Sequence, residues 1–168
     1  MDFASQIVEA PLQEMFARWE DKAIGGSVPC RTDFDPLSLP AEMLPFVFIL
    51  ERHAERFFCR LAGTGIRALL GFETSQRYLD DLIPHTHSIT RGAVYARVID
   101  EQIPAYFSGP LSMGGQGERP VSCLLLPVAA QGGAADQVFG VLVARASNAR
   151  PATGWVGPDG ASVVAWAA

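Results

Sequence analysis

Two stretches of this chain, Val121–Ala130 and Gln137–Arg145, are apolar on both faces of an extended backbone. In the first, Leu124, Leu126 and Val128 alternate with Val121, Cys123 and Leu125. In the second, Phe139, Val141 and Val143 alternate with Val138 and Leu142. An antiparallel strand with one face in water alternates polar and apolar residues. These strands do not, so both of their faces must be covered. That requirement excludes a bare sheet and predicts a sheet with helices on one side and a further layer on the other.

The rest of the chain supplies covers. Residues 5–26 read as an amphipathic helix, with Leu12, Met15, Phe16, Trp19 and Ala23 on one stripe, Pro11 suited to a first turn and Gly25-Gly26 as the stop. Burying its four large side chains would contribute about 6–12 kcal/mol gross. Residues 27–45 form a connector punctuated by Pro29, Pro36, Pro40 and Pro45. Each proline lacks a donor and biases its predecessor to extended geometry. The run Phe46–Leu50 is a strand, Glu51–Glu55 a polar turn and Phe57–Gly63 a returning strand. The period then changes: Ile66, Leu69 and Leu70 fall on one face of a short helix that Gly71 ends. Tyr78, Leu79, Leu82 and Ile83 make a second short apolar cluster before Pro84. A longer helix is predicted over Ser88–Glu101, with Ser88 as N-cap, the stripe Val94, Tyr95, Val98 and Ile99, and an end near Gln102 before Pro104. Arg91 and Arg97 on this helix reach solvent or turn inward toward an acidic ligand. Ile103–Met113 is a further strand, and Gly114–Gly117 is a hairpin turn lacking the Lys and Ser/Thr of a phosphate loop. The tail from Ser147 is rich in Gly and Pro, then ends on Val163, Val164 and Trp166. An edge strand, a cover for a neighbouring subunit and disorder all remain open for it.

Several of these pieces, in this order, resemble one family. Arg60-Leu61-Ala62-Gly63-Thr64, the apolar turn ending at Gly71, and Leu79-Asp80-Asp81-Leu82 are similar to small PAS-type domains of alphaproteobacteria. Asp33-Phe34-Asp35-Pro36-Leu37 with Leu39-Pro40 and Leu44-Pro45 resembles the lead-in of that family, and Leu124–Val128 with Val138–Val143 resembles its later strands. The resemblance spans roughly residues 12–146. It implies a sensory or interaction module, usually cytoplasmic, and names no ligand. A flavin photosensor of the LOV type would carry Asn-Cys-Arg-Phe where this chain has Gly65-Ile66-Arg67-Ala68-Leu69, so covalent flavin chemistry is not expected.

Composition and motifs exclude several functions. A net charge of −5 argues against a nucleic-acid partner. Cys30, Cys59 and Cys123 are too few and too scattered for a disulfide framework and read as reduced thiols. The N-terminus has no signal-peptide pattern and no stretch has the roughly 18 apolar residues of a membrane span, so a cytoplasmic protein is expected. Asp33 and Asp35 read as turn residues and His53 as a solvated one. His85 and His87 lack further ligands for zinc, although a haem needs only one axial histidine. No G-x-S-x-G elbow or HExxH motif is present, and an enzyme is not expected.

The sequence therefore predicts an α+β, PAS-like domain over 46–146, preceded by a helix and connector over 1–45 and followed by a tail over 147–168. Its five antiparallel strands carry short helices and one longer helix on one face, with the N-terminal amphipathic helix outside. Phe57, Cys59, Leu61, Ile66, Leu69, Leu70, Leu79, Leu82, Val94, Val98 and Leu125 are expected to line a central cavity that takes a small ligand of unknown identity. Any signal is expected to pass to a protein partner. A homodimer through the N-terminal helix and outer sheet face is expected from the surplus apolar surface. The alternative is a ligand-free interaction or dimerisation module.

Overall fold

The computed structural model describes residues 2–112, 117–145, 154–157 and 162–164. Its frame is one mixed-length antiparallel sheet. The long strands are β1 (Val47–His53), β2 (Arg56–Ala62), β4 (Ala105–Ser112), β5 (Glu118–Val128) and β6 (Gln137–Ala144). They match the five predicted strands, with small shifts at the ends. Three short strands join them: β3 (Arg77–Tyr78), β7 (Gly154–Val156) and β8 (Ser162–Val164). The order across the sheet is β3-β2-β1-β6-β5-β4-β7-β8. The described parts of the tail, β7 and β8, extend the sheet beyond β4.

Register assigns the two faces. Cys123 sits opposite Phe107 and Leu142, and Phe107 opposite Trp155, so these four share the inner face. Leu124 sits opposite Tyr106 and Val141, which share the outer face. The doubly apolar strands are covered twice, as their pattern demands. Helix α3 (Thr64–Leu70), the 3-10 turn Leu79–Asp81 and helix α4 (His85–Glu101) lie over the inner face. Gly71 ends α3 at φ 83°, and Gln102 ends α4 at φ 55°.

The outer face is covered by the N-terminal region. The predicted single helix is instead two, α1 (Phe3–Gln6) and α2 (Ala10–Lys22). Pro11 explains the break: it offers no N–H, and its ring would clash with a helical carbonyl four residues back, at Ile7. Leu12, Met15, Phe16 and Trp19 are all buried in the chain itself. Trp19 Nε1 donates to the Pro127 carbonyl at 2.9 Å, which locks α2 onto β5. At the start of α2, Glu9 accepts hydrogen bonds from Tyr106 Oη at 2.8 Å and from Ser122 Oγ. The connector adds Phe34, edge-on to Phe139 with centroids 4.9 Å apart. Its backbone also pairs with the end of β5, Arg31 N–H donating to the Ala129 carbonyl at 2.7 Å.

Two further boundaries differ from expectation. The strand β1 continues to His53, so the hairpin turn is only Ala54-Glu55, with Ala54 at φ 54°. Helix α4 begins at His85 rather than after Ser88, with Pro84 as the residue that caps it. His85 and His87 thus lie in its first turn, and their side chains fall outside the described residues, as does most of the Gly114–Gly117 turn. Among the described residues no helix is long and apolar enough to cross a membrane, and no cluster of His, Cys, Asp and Glu could hold a metal ion.

Candidate functional site: a cavity between the sheet and its helices

Between the sheet and α3 and α4 lies a partly open cavity of about 80 Å³. Its floor is the inner face: Phe48 and Leu50 of β1, Cys59 of β2, Phe107 and Leu111 of β4, Val121 and Cys123 of β5, and Leu142 of β6. Its roof is Ile66 and Leu70 of α3, Thr74, Leu79, Leu82 and Ile83 of the segment that follows, and Arg91 and Tyr95 of α4. Trp155 of β7 closes the β4 side, its ring 5.1 Å from Phe107.

Close backbone approaches build this shape. A Cβ at Gly63 would strike the Leu44 and Pro45 carbonyls, so only glycine lets the chain turn from β2 into α3 there. A Cβ at Gly140 would strike the Phe48 ring, which lies flat across β6 because that residue has no side chain. Phe48 is thereby held at the cavity floor.

Of the eleven predicted lining residues, Cys59, Ile66, Leu70, Leu79 and Leu82 border the void. Val94, Val98 and Leu125 are fully buried in solid packing beneath α4. Phe57 is buried edge-on to Tyr95 and borders a separate surface groove. Leu69 is only partly buried against the core. Leu61 corrects the prediction outright: it lies on the outer face and is 40% exposed. The cause is a bulge. Leu50 pairs with Cys59 and Ile49 with Leu61, so Arg60 is an extra residue and the alternation reverses there. Sequence reasoning missed the contributions of β1, β4, β6 and β7, and it left Arg91 undecided. Arg91 turns inward and is 5% exposed.

The polar groups of the cavity are few. Burial pushes the Cys59 thiol up to about 11 and raises the Cys123 thiol and the Tyr95 hydroxyl as well. Burial lowers the Arg91 pKa, against an opposing influence of Tyr95 and Cys123, and the guanidinium remains a cation. The Thr74 hydroxyl and the Trp155 indole N–H are buried without a hydrogen-bond partner among the described residues. No carboxylate is among the residues that line the void. Outside it, a groove of about 560 Å³ runs between the β1–β2 turn and α4. Leu79, Ile83, Arg91 and Tyr95 border both spaces and form the wall between them.

A family model for the PAS domain matches residues 7–143, from the loop before α2 to the end of β6. The chain belongs to the PAS domain family. No curated protein and no solved structure matches it. Domains of the PAS family are in general sensory or regulatory modules and typically not enzymes in themselves. In this PAS domain the match includes α2 and the connector, so the outer layer is part of the family unit. It stops short of Trp155, which also borders the cavity.

Proposed function

We propose that this PAS domain is a sensory module that takes a small ligand in its central cavity and passes its state to a protein partner. The observation that carries this is the void itself. Protein interiors pack to crystal-like density, and gaps larger than a water are few. A water needs only about 10–15 Å³ of such space, so a void of about 80 Å³ has room for a small organic molecule. The groove behind Leu79 and Ile83 offers a route to it across one layer of side chains. Native mass spectrometry and an absorbance spectrum of freshly purified protein test the reading. A co-purified small-molecule mass, lost on denaturation, is the expected result. A bare polypeptide mass that no small molecule in a fragment screen shifts would refute it.

The alternative, a ligand-free dimerisation module, draws support from a different place. The outer face beyond α2 carries Leu61 exposed beside half-buried Phe58 and Tyr78. A second copy of the chain seated there would bury them. Sedimentation of the wild type beside Leu61→Glu tests this contact: a dimer that the variant weakens supports it, and a wild-type monomer at micromolar concentration removes it.

A further inference from the structure

We infer that the cavity takes a small, uncharged, largely apolar molecule that presents a carbonyl oxygen to the indole N–H of Trp155. The chemical class rests on the ligand-binding reading above and comes from Trp155. This side chain is 4% exposed and borders the cavity, and its Nε1–H is buried without a hydrogen-bond partner among the described residues. The sheet holds the ring in place: Trp155 pairs with Phe107 across β7 and β4, and the two rings are 5.1 Å apart. A buried tryptophan N–H usually finds a partner, and native structures rarely leave a buried donor unmade. Indole can only donate. Whatever satisfies Trp155 must therefore bring an acceptor, and the cavity is the space beside the ring that a ligand can fill.

The rest of the lining narrows the acceptor to a carbonyl. A hydroxyl would bring a donor of its own. The thiols of Cys59 and Cys123 are weak acceptors for it, and Cys59 already donates to the Leu61 carbonyl at 3.4 Å. The Thr74 hydroxyl, which acts on the nearby Cys59 thiol, donates or accepts and suits either head group. A carbonyl oxygen has two lone pairs and no proton to place, which complements a donor-only indole. An ionised head fares worse. Most of the lining is aliphatic or aromatic, and burying a charge is costly unless it is paired. Arg91 has an interaction within the chain and sets no requirement on a ligand.

The volume bounds the size. At about 10–15 Å³ for each water-sized group, a cavity of about 80 Å³ has room for about five to eight of them. The body is therefore a short chain.

The test titrates three probes into the full chain at neutral pH: methyl propyl ketone, its hydrocarbon isostere with a methylene group in place of the carbonyl oxygen, and butyrate. Trp155→Phe keeps an aromatic ring and removes the donor. It should weaken the ketone by about twofold to tenfold and leave the isostere within about twofold. In isotope-labelled wild type the Trp155 indole N–H resonance should move downfield with the ketone and not with the isostere, a readout that needs no folded variant. Butyrate should bind more weakly than the ketone. Ketone and isostere weakened alike, with no downfield move, would overturn the carbonyl assignment while leaving the cavity a ligand site. Butyrate binding tighter than the ketone would overturn the uncharged class. No binding of any of the three, with a bare native mass, would take down the ligand reading and this class with it.

Discussion

Gly140→Ala is expected to act through Phe48, and the structure sets its size. The added methyl meets Cζ, Cε1 and Cε2 of the Phe48 ring, the far end of that side chain. The ring cannot stay. Overpacking of this kind costs about 1–3 kcal/mol. Alanine in place of glycine in a strand gives back about 0.5–1 kcal/mol of backbone entropy. The net loss should be about 1 kcal/mol. In a Phe48→Ala background the clash is absent, and the same change should stabilise by about 0.5–1 kcal/mol. The difference between the two backgrounds isolates the overpacking as a coupling energy of about 1–3 kcal/mol. Urea unfolding of the four proteins measures it. There is a functional readout as well. Phe48 borders the void, so the displaced ring moves into it and should weaken binding of whatever the cavity takes. Equal effects of Gly140→Ala in both backgrounds, within about 0.5 kcal/mol, would refute the reasoning.

Trp19→Phe removes the donor to the buried Pro127 carbonyl and should cost about 1–3 kcal/mol in urea unfolding; no change would mean that α2 is held by apolar contact alone. The thiols should differ in reactivity. Cys59 and Cys123 are buried with raised pKa values, whereas Cys30 is half-buried and lowered chiefly by its Thr32 hydrogen bonds. A thiol reagent at about pH 8 should therefore find one fast cysteine in the native protein and all three in denaturant, and three fast native thiols would contradict the packing. Burial pushes the Glu51 carboxyl up, but hydrogen bonds from Arg60 and His53 outweigh it and leave it below the usual range. Its stabilisation is then present above the unfolded carboxylate range, near 4.3, and is lost as pH falls through the lower folded value. Glu51→Gln should flatten the acid limb of stability against pH, and an unchanged limb would assign acid sensitivity to other groups.

Most of the frame was legible because local signals sufficed for it. Strand periodicity placed the five long strands, Gly71 ended α3, and Pro104 limited α4. The double cover followed from apolar residues on both faces of β5 and β6, and α2 supplies one of the covers. The bulge at Arg60 was not legible. It arises where β1 and β2 fall out of step, and no residue type marks it, so Leu61 carried a lining pattern onto the wrong face.

The cavity floor shows a deeper limit. Alternation divides β5 into Cys123 with Leu125 and Leu124 with Leu126, but both sets are apolar and neither declares which way it faces. The deciding residues are polar and lie on the other face: Ser108 and Ser122, which meet outside beside Glu9. Ser122 lies one residue from Cys123, so its outward side chain turns Cys123 inward. Read that way, Ser122 places Cys123 in the floor, and Ser108 does the same for Phe107. Trp155 had no such marker. It sits in a stretch rich in glycine and proline and gains its place only by pairing with Phe107, far away in sequence. Trp155 is therefore a cavity residue that only the assembled sheet could bring into place.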